Sequence, residues 1–333
     1  MIGVPRGTPV MGDPLFSQHP APIKGNNPLL RTAGSKRSQP SFIARRQRWG
    51  LYFVLPTVLF FAIFFLYPIL SGIYYSFTDF TLLRPPQWVG FQNYQDLLKD
   101  RLFLKSVSVT LGFVLGSTVP VWILSLFAAV VFFQKFRGRE TLKVLFFTPV
   151  LPSLIVVAVV WRILLHPSGV LTTVLRPFTG LPEINWLDNP SLSPIAMIII
   201  NDWTIIPFYM LIWLAGLSGI PEELREAARV DGANKLQSFF RIELPLLRPT
   251  AVFVASISMI NAFQGFTLQY AISPGRGGPI DANTTMGLLI WKYGFQYYRM
   301  GDAAAVSVVL FAIIMLVTGL QLWLGRGDQY SLQ

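Results

Sequence analysis

An all-α membrane protein with six transmembrane helices is the fold class this sequence predicts. Three observations predict it. Of the 333 residues, 53% are hydrophobic and only 13% are charged, about half the charged share of a typical soluble domain. Six apolar runs each reach the ~20 residues needed to cross a bilayer. Within those runs Arg162 and Asp202 are the only strongly ionised side chains, so the helices are apolar all round, where a soluble helix alternates polar and apolar faces.

The elements follow in chain order. Residues 1–49 are rich in Pro, Gly, Ser and Gln and lack apolar periodicity; a disordered, basic cytoplasmic tail is expected. Its end, SKRSQPSFIARRQRW (35–49), is basic and suits anionic lipid head groups. The first span is placed at 51–77. It begins too far into the chain, and runs too long, for a secretory h-region, and no small-residue cleavage site follows; it is expected to stay as an anchor. The remaining spans are placed at 107–133, 144–165, 194–217, 251–272 and 303–324. Together they make a membrane domain over 50–326, followed by a tail at 327–333.

Lys and Arg set the orientation. Eighteen of the 27 lie in the N-terminal tail, in 134–143, in 218–250 and at the C-terminus; the other three gaps hold eight. Both termini and the 218–250 gap are therefore expected in the cytoplasm. The +11 charge is read as this topology signal, with no nucleic-acid partner. The chain has no cysteine, and two histidines, His19 and His166. That excludes disulfides, thiol nucleophiles, and thiolate or paired-histidine metal sites. No G-x-x-x-x-G-K-[ST] phosphate loop occurs. No repeat of short period is present.

The 218–249 gap reads SGIPEELREAARVDGANKLQSFFRIELPLLRP. Pro221 suits a first helical position. Glu222 and Glu223 lie toward the positive end of the helix dipole, Arg225 and Arg229 toward the negative end. Asp231-Gly232 predicts a turn, and Asn234 a cap for a second helix over 235–242. An amphipathic linker lying on the membrane is one reading. Against it stand the balanced charge, where interfacial helices are Lys/Arg-rich, and small residues at Ala227, Ala228, Gly232 and Ala233 that would let another protein approach. A docking element for a cytoplasmic partner is expected.

This stretch resembles the EAA loop of ABC importer permeases: E-A-A, three residues, G, nine residues, I-x-L-P. The matching positions are Glu226, Ala227, Ala228, Gly232, Ile242, Leu244 and Pro245, with Asp231 and Ala233 beside the glycine. YPILSGIYYSFTDF (67–80), PPQWVGFQNYQDLL (85–98), the Gly-Gly-Pro at 277–279 and GDAAAVSVVLF (301–311) resemble the carbohydrate-type permease that carries the Gly-Gly-Pro loop. The loop here, SPGRGGP (273–279), is longer than the usual form, which bears on the outer gate and the contact with a binding protein.

The resemblance implies a type I ABC importer permease fold with a cytoplasmic EAA coupling helix. It also implies a second permease as heterodimer partner, two ABC ATPase subunits and an extracytoplasmic solute-binding protein. The membrane would be the bacterial or archaeal cytoplasmic (inner) one. No cofactor is expected in this chain; ATP and Mg would be bound by the ATPase, so the chain would not itself be an enzyme. Glu226 would contact the ATPase and Gly232 permit the turn. The substrate would be a sugar, an oligosaccharide or a glycosylated polyol used as compatible solute, with a glycerol phosphate ester as alternative.

In the fifth span Ser258, Asn261, Gly265 and Gln269 recur at three- to four-residue steps on one helix face, and the resemblance supports Ser258, Asn261, Ala262 and Gly265 as substrate-lining. Helix packing through small and polar residues accounts for the same pattern. In the fourth span the resemblance points to Thr204, Ile205 and Phe208. Asp202 either meets substrate hydroxyls or pairs with a basic group such as Arg162. Arg162 and His166 are otherwise read as an outer-end snorkelling residue and a loop residue. Two other classes compete. A proton-coupled transporter using Asp202 would need further titratable groups in the spans, and a membrane enzyme would need a cluster of acids, histidines or a nucleophile.

Overall fold

The computed structural model describes residues 52–179 and 185–326. The tail at 1–49, its basic end and the tail at 327–333 lie outside the described residues.

Helices dominate. α1 (Tyr52–Tyr75) is uniformly unburied and apolar, as a lipid-facing helix should be. The chain then forms a small feature absent from the all-α expectation. β1 (Thr78–Thr81) pairs antiparallel with β2 (Arg84–Trp88), and the Asn93 side chain donates to Ser76 O and Thr78 O, both at 2.9 Å. Asn93 lies in α2 (Gln92–Lys99). Asp100 then caps α3 (Arg101–Phe133) by accepting from Leu102 N at 2.7 Å, so this helix starts six residues before the expected span.

Two expected spans are broken. α4 (Arg139–Phe147), continued by a tight turn to Val150, meets α5 (Leu154–Leu164) at a 93° bend. Pro149 and Pro152 explain the break, since proline removes a backbone donor and pushes its predecessor out of helical geometry. α6 (Val170–Thr179) and α7 (Leu192–Ser218) follow. After α8 (Glu222–Val230), α9 (Lys235–Leu246, with a π-helical turn at Phe239–Glu243) joins α10 (Arg248–Phe263) through a 68° bend. The fifth expected span, 251–272, stops at Phe263 and resumes as α11 (Thr267–Ile272). Gly265 sits in that gap, where a Cβ would meet Ala262 O at 3.1 Å and Phe113 at 3.3 Å. α12 (Met286–Trp291) and α13 (Met300–Arg326) complete the chain. Among the described residues, four helices are long and apolar enough to cross a membrane, and up to six spans result if each bent pair counts as one.

α3 and α7 form the centre of the bundle. Phe113, Met197, Ile200, Met286 and Tyr293 anchor one apolar cluster; Val121, Tyr209, Met210, Trp213 and Leu247 anchor a second. Between the two lies a polar layer of Ser117, Asn201 and Asp202. The pair runs parallel: Phe133 and Leu217 share one end, Lys105 and Pro194 the other.

Candidate functional site

The 218–249 segment protrudes from the Phe133/Leu217 end. Pro221 caps α8 rather than occupying its first turn. At the far end Ala233 N donates to Ala228 O (2.9 Å) and Gly232 N to Arg229 O (3.1 Å), the paired bonds of a Schellman stop, which needs a left-handed residue after the cap. Gly232 supplies it with φ +80°, and a Cβ there would meet nothing within 4 Å, so the requirement is conformational rather than steric. Asn234 accepts from Gln237 N at 2.8 Å while Gln237 Oε1 accepts from Asn234 N at 2.9 Å, a reciprocal capping box.

The expected small-residue face is only partly open. Glu226, Ala227, Asp231 and Gly232 are exposed and Ala233 half-buried, but Ala228 is buried, because α8 packs that side down together with Arg225. Exposed apolar side chains join the open side: Leu224, Val230, Leu236 and Phe240. Ile242 and Leu244 are half-buried and Pro245 exposed.

Arg225 is the residue that sequence reasoning undervalued as a dipole partner. It is 8% exposed. It donates to Leu217 O at 2.8 Å and Ile220 O at 3.3 Å, carbonyls at the end of α7. It also pairs with Glu222 at 3.1 Å and Glu243 at 3.3 Å. Its guanidinium lies 4.7 Å from the centroid of the Phe133 ring. One side chain thus ties α8 to α3, α7 and α9. The planar five-donor fork of arginine is what permits so many partners.

Within the bundle, Asp202 is 6% exposed. Its carboxylate accepts from Ser117 Oγ and from Asn201 Nδ2. The suggested Arg162 pairing is not formed; Arg162 is exposed and shares a hollow with His166 and Arg276. Thr204 is buried and donates back to Ile200 O. Ser258 is buried and accepts from Trp122 Nε1 at 2.7 Å. Ala262 and Gln269 are also buried. Burial therefore sets Asp202, Thr204, Ser258, Ala262 and Gln269 inside the fold rather than on an open seam, with Gly265 and Ile205 half-covered. Phe208 and Asn261 are exposed, and Asn261 Nδ2 donates to Tyr209 OH at 3.1 Å. Gln264, one turn beyond Asn261, is exposed as well; its three-residue spacing was the signal that could have found it.

At the other end the Gly-Gly-Pro turn is tightly held. A Cβ on Gly277 would lie 1.9 Å from Thr284 Oγ1. Ile280 and Asp281 adopt positive φ. Buried Lys292 donates to Asp281 at 2.6 Å and to Arg276 O at 3.1 Å. Next to it Tyr293 donates to the Asp100 carboxylate; burial, and then that hydrogen bond, push its phenol pKa up.

Bilayer-length helices around a polar layer, with a capped helix-turn-helix protruding at one end, are the construction of a multi-pass membrane transport subunit rather than an enzyme. Residues 53–327 match the family of binding-protein-dependent transport system inner membrane components, and the chain belongs to that family. Among curated proteins it is 35% identical over 273 residues to the probable ABC transporter permease protein YesP of Bacillus subtilis (81% of this chain, 87% of that one). It is 31% identical over 286 residues to the trehalose/maltose transport system permease protein MalF of Thermococcus litoralis (85% and 95%). Its fold is similar to a chain of a bacterial alginate ABC transporter crystallised with an alginate pentasaccharide-bound periplasmic protein (TM-score 0.73, 22% identity, 86% and 97% covered). The chain is thus a permease of the ABC importer type.

Proposed function

We propose that this permease imports a sugar, an oligosaccharide or a glycosylated polyol, and forms the pathway with a second, non-identical permease. Two ATPase subunits bind the ATP and Mg, and a solute-binding protein delivers the substrate from outside. The Lys/Arg distribution supports an orientation with both termini and the 218–249 segment in the cytoplasm of a bacterium or archaeon. Relatives named for trehalose/maltose, multiple sugars and arabinooligosaccharides support the carbohydrate class. A relative named for sn-glycerol-3-phosphate is 31% identical, and against that alternative stands the scarcity of cations in the spans.

The observation that carries the coupling role is the Arg225 tie. A segment that protrudes, caps itself at both helices and is bonded to the ends of α3 and α7 can pass a pull on Glu226 into the bundle. ATPase closure would then favour one bundle state over another by differential contact. Phe208 and Asn261 are the residues assigned to the substrate path, since each is open and one offers an aromatic face, the other an amide.

The test is ATP-driven uptake of labelled sugars by the reconstituted transporter. Gly232→Pro, which forbids φ +80° and removes the N–H to Arg229 O, is expected to leave ATP hydrolysis running while uptake falls at least tenfold. Normal uptake by that variant would overturn the coupling role. Uptake by the permease alone, without ATP and driven by a proton gradient, would overturn the ATP-driven reading.

A further inference from the structure

The end of the bundle away from the coupling segment holds a cavity that the reading above does not use. It has a volume of about 330 Å3 and lies between the start of α3, the start of α7, α11 and the turn before α12. Lys105, Ser108 and Gly112 form its mouth on one stripe of α3, and Phe113 and Met197 form part of its wall.

Two amides line it. Gln269 is 2% exposed, and neither its Oε1 nor its Nε2 has a hydrogen-bond partner. Asn283 is 3% exposed; its Nδ2 donates to Ser193 Oγ at 2.6 Å, and its Oδ1 has no partner. Leaving such groups unpaired costs about 1–3 kcal/mol each. A ligand that supplies the missing bonds offsets that cost.

The inventory selects the ligand. Gln269 offers both donors and an acceptor, Asn283 Oδ1 an acceptor, and Lys105 donors. Ser108 Oγ donates to Lys105 O at 2.7 Å and keeps its oxygen free to accept. An anion, which only accepts, could pair with Lys105 and Gln269 Nε2 but would leave Gln269 Oε1 and Asn283 Oδ1 without donors. A lipid tail would leave every polar group unpaired. A molecule with several neutral hydroxyls, each able to donate and accept, satisfies all of them, and its C–H face suits the Phe113 ring.

We propose that this cavity is a subsite for one neutral sugar or polyol ring at the outer end of the permease. It is separate from Phe208 and Asn261, and Gln269 is its principal hydrogen-bonding residue. The assignment rests on the carbohydrate reading above.

The test uses the complete transporter in nanodiscs with the binding protein omitted, titrated with maltose, trehalose and glucose by saturation-transfer NMR. Two variants attack the cavity independently. Gln269→Leu removes unpartnered groups and so should not lower the melting temperature. Gly112→Leu fills the mouth from a position where a Cβ meets nothing within 4 Å. Wild type is expected to bind one of the sugars saturably, and both variants to weaken its Kd at least tenfold. Sugar uptake by wild type with no saturable binding, or with a Kd unmoved by both variants, would overturn the subsite while leaving the carbohydrate reading intact; the cavity would then hold water or a partner side chain. Absence of any sugar uptake by the wild-type transporter would overturn the carbohydrate reading itself, and the subsite with it.

Discussion

Arg225 and Glu243 form an ion pair across the 218–249 segment at 3.3 Å, joining its first helix, α8, to the π-helical turn that leads into α10. Both side chains are largely shielded, at 10% and 16% exposure. Removing one partner of a shielded pair is expensive because the other is left behind. Arg225→Ala is expected to destabilise the chain by about 3 kcal/mol, read as a lower melting temperature in detergent. Arg225→Lys keeps the charge but loses the fork, so its loss should be smaller, with ATP hydrolysis partly uncoupled from uptake. Equal melting temperatures for wild type and Arg225→Ala would contradict the tie.

Gly232 is required for its backbone angle alone. Gly232→Ala is expected to cost roughly 1–2 kcal/mol, the price of a left-handed conformation for an L-residue with a Cβ. Gly232→Asn should cost less, since asparagine tolerates that region. A melting series of the three proteins checks the order Gly, Asn, Ala.

Asp202 serves as an acceptor for Ser117 and Asn201. Asp202→Asn keeps an acceptor oxygen, so ATP-driven uptake should survive it. Asp202→Ala strands buried donors and is expected to cost about 1–3 kcal/mol. Loss of uptake in Asp202→Asn, with a normal melting temperature, would instead assign the carboxylate a charge-dependent role.

Lys292 holds the Gly-Gly-Pro turn through Asp281 and Arg276 O. Lys292→Met should leave the helices intact and loosen the turn. Hydrogen exchange is the measurement: faster exchange across 276–284, with α3 and α7 unchanged, is the expected result.

The spans and the helix-turn-helix at 218–249 were legible because bilayer length and turn chemistry are local properties. Gly232 and Asn234 announce their turn and cap within a few residues. The breaks at 151–153 and 264–266 were less visible, since apolar content runs straight through Pro149, Pro152 and Gly265. Arg225 was hidden for a different reason. Its partners are two backbone carbonyls, a glutamate 18 residues on and a phenylalanine 92 residues back, none of which periodicity reports. The polar row of the fifth span had the right spacing, but Ser258 and Asn261 find their partners, Trp122 and Tyr209, on other helices. Only the packed bundle tells which row members face inward.

The polar layer between the two apolar clusters also limits how this bundle can move. One helical turn is about 5.4 Å, and one turn either side of Ser117 stand Phe113 and Val121. Sliding α3 past α7 by that distance would set the Asp202 carboxylate against a hydrocarbon surface and unpair its donors. The two longest central helices are thereby pinned like a dowelled joint. Any alternation of access must pivot them as one strut, and take up the strain where helices are already interrupted, beside Pro152 and Gly265.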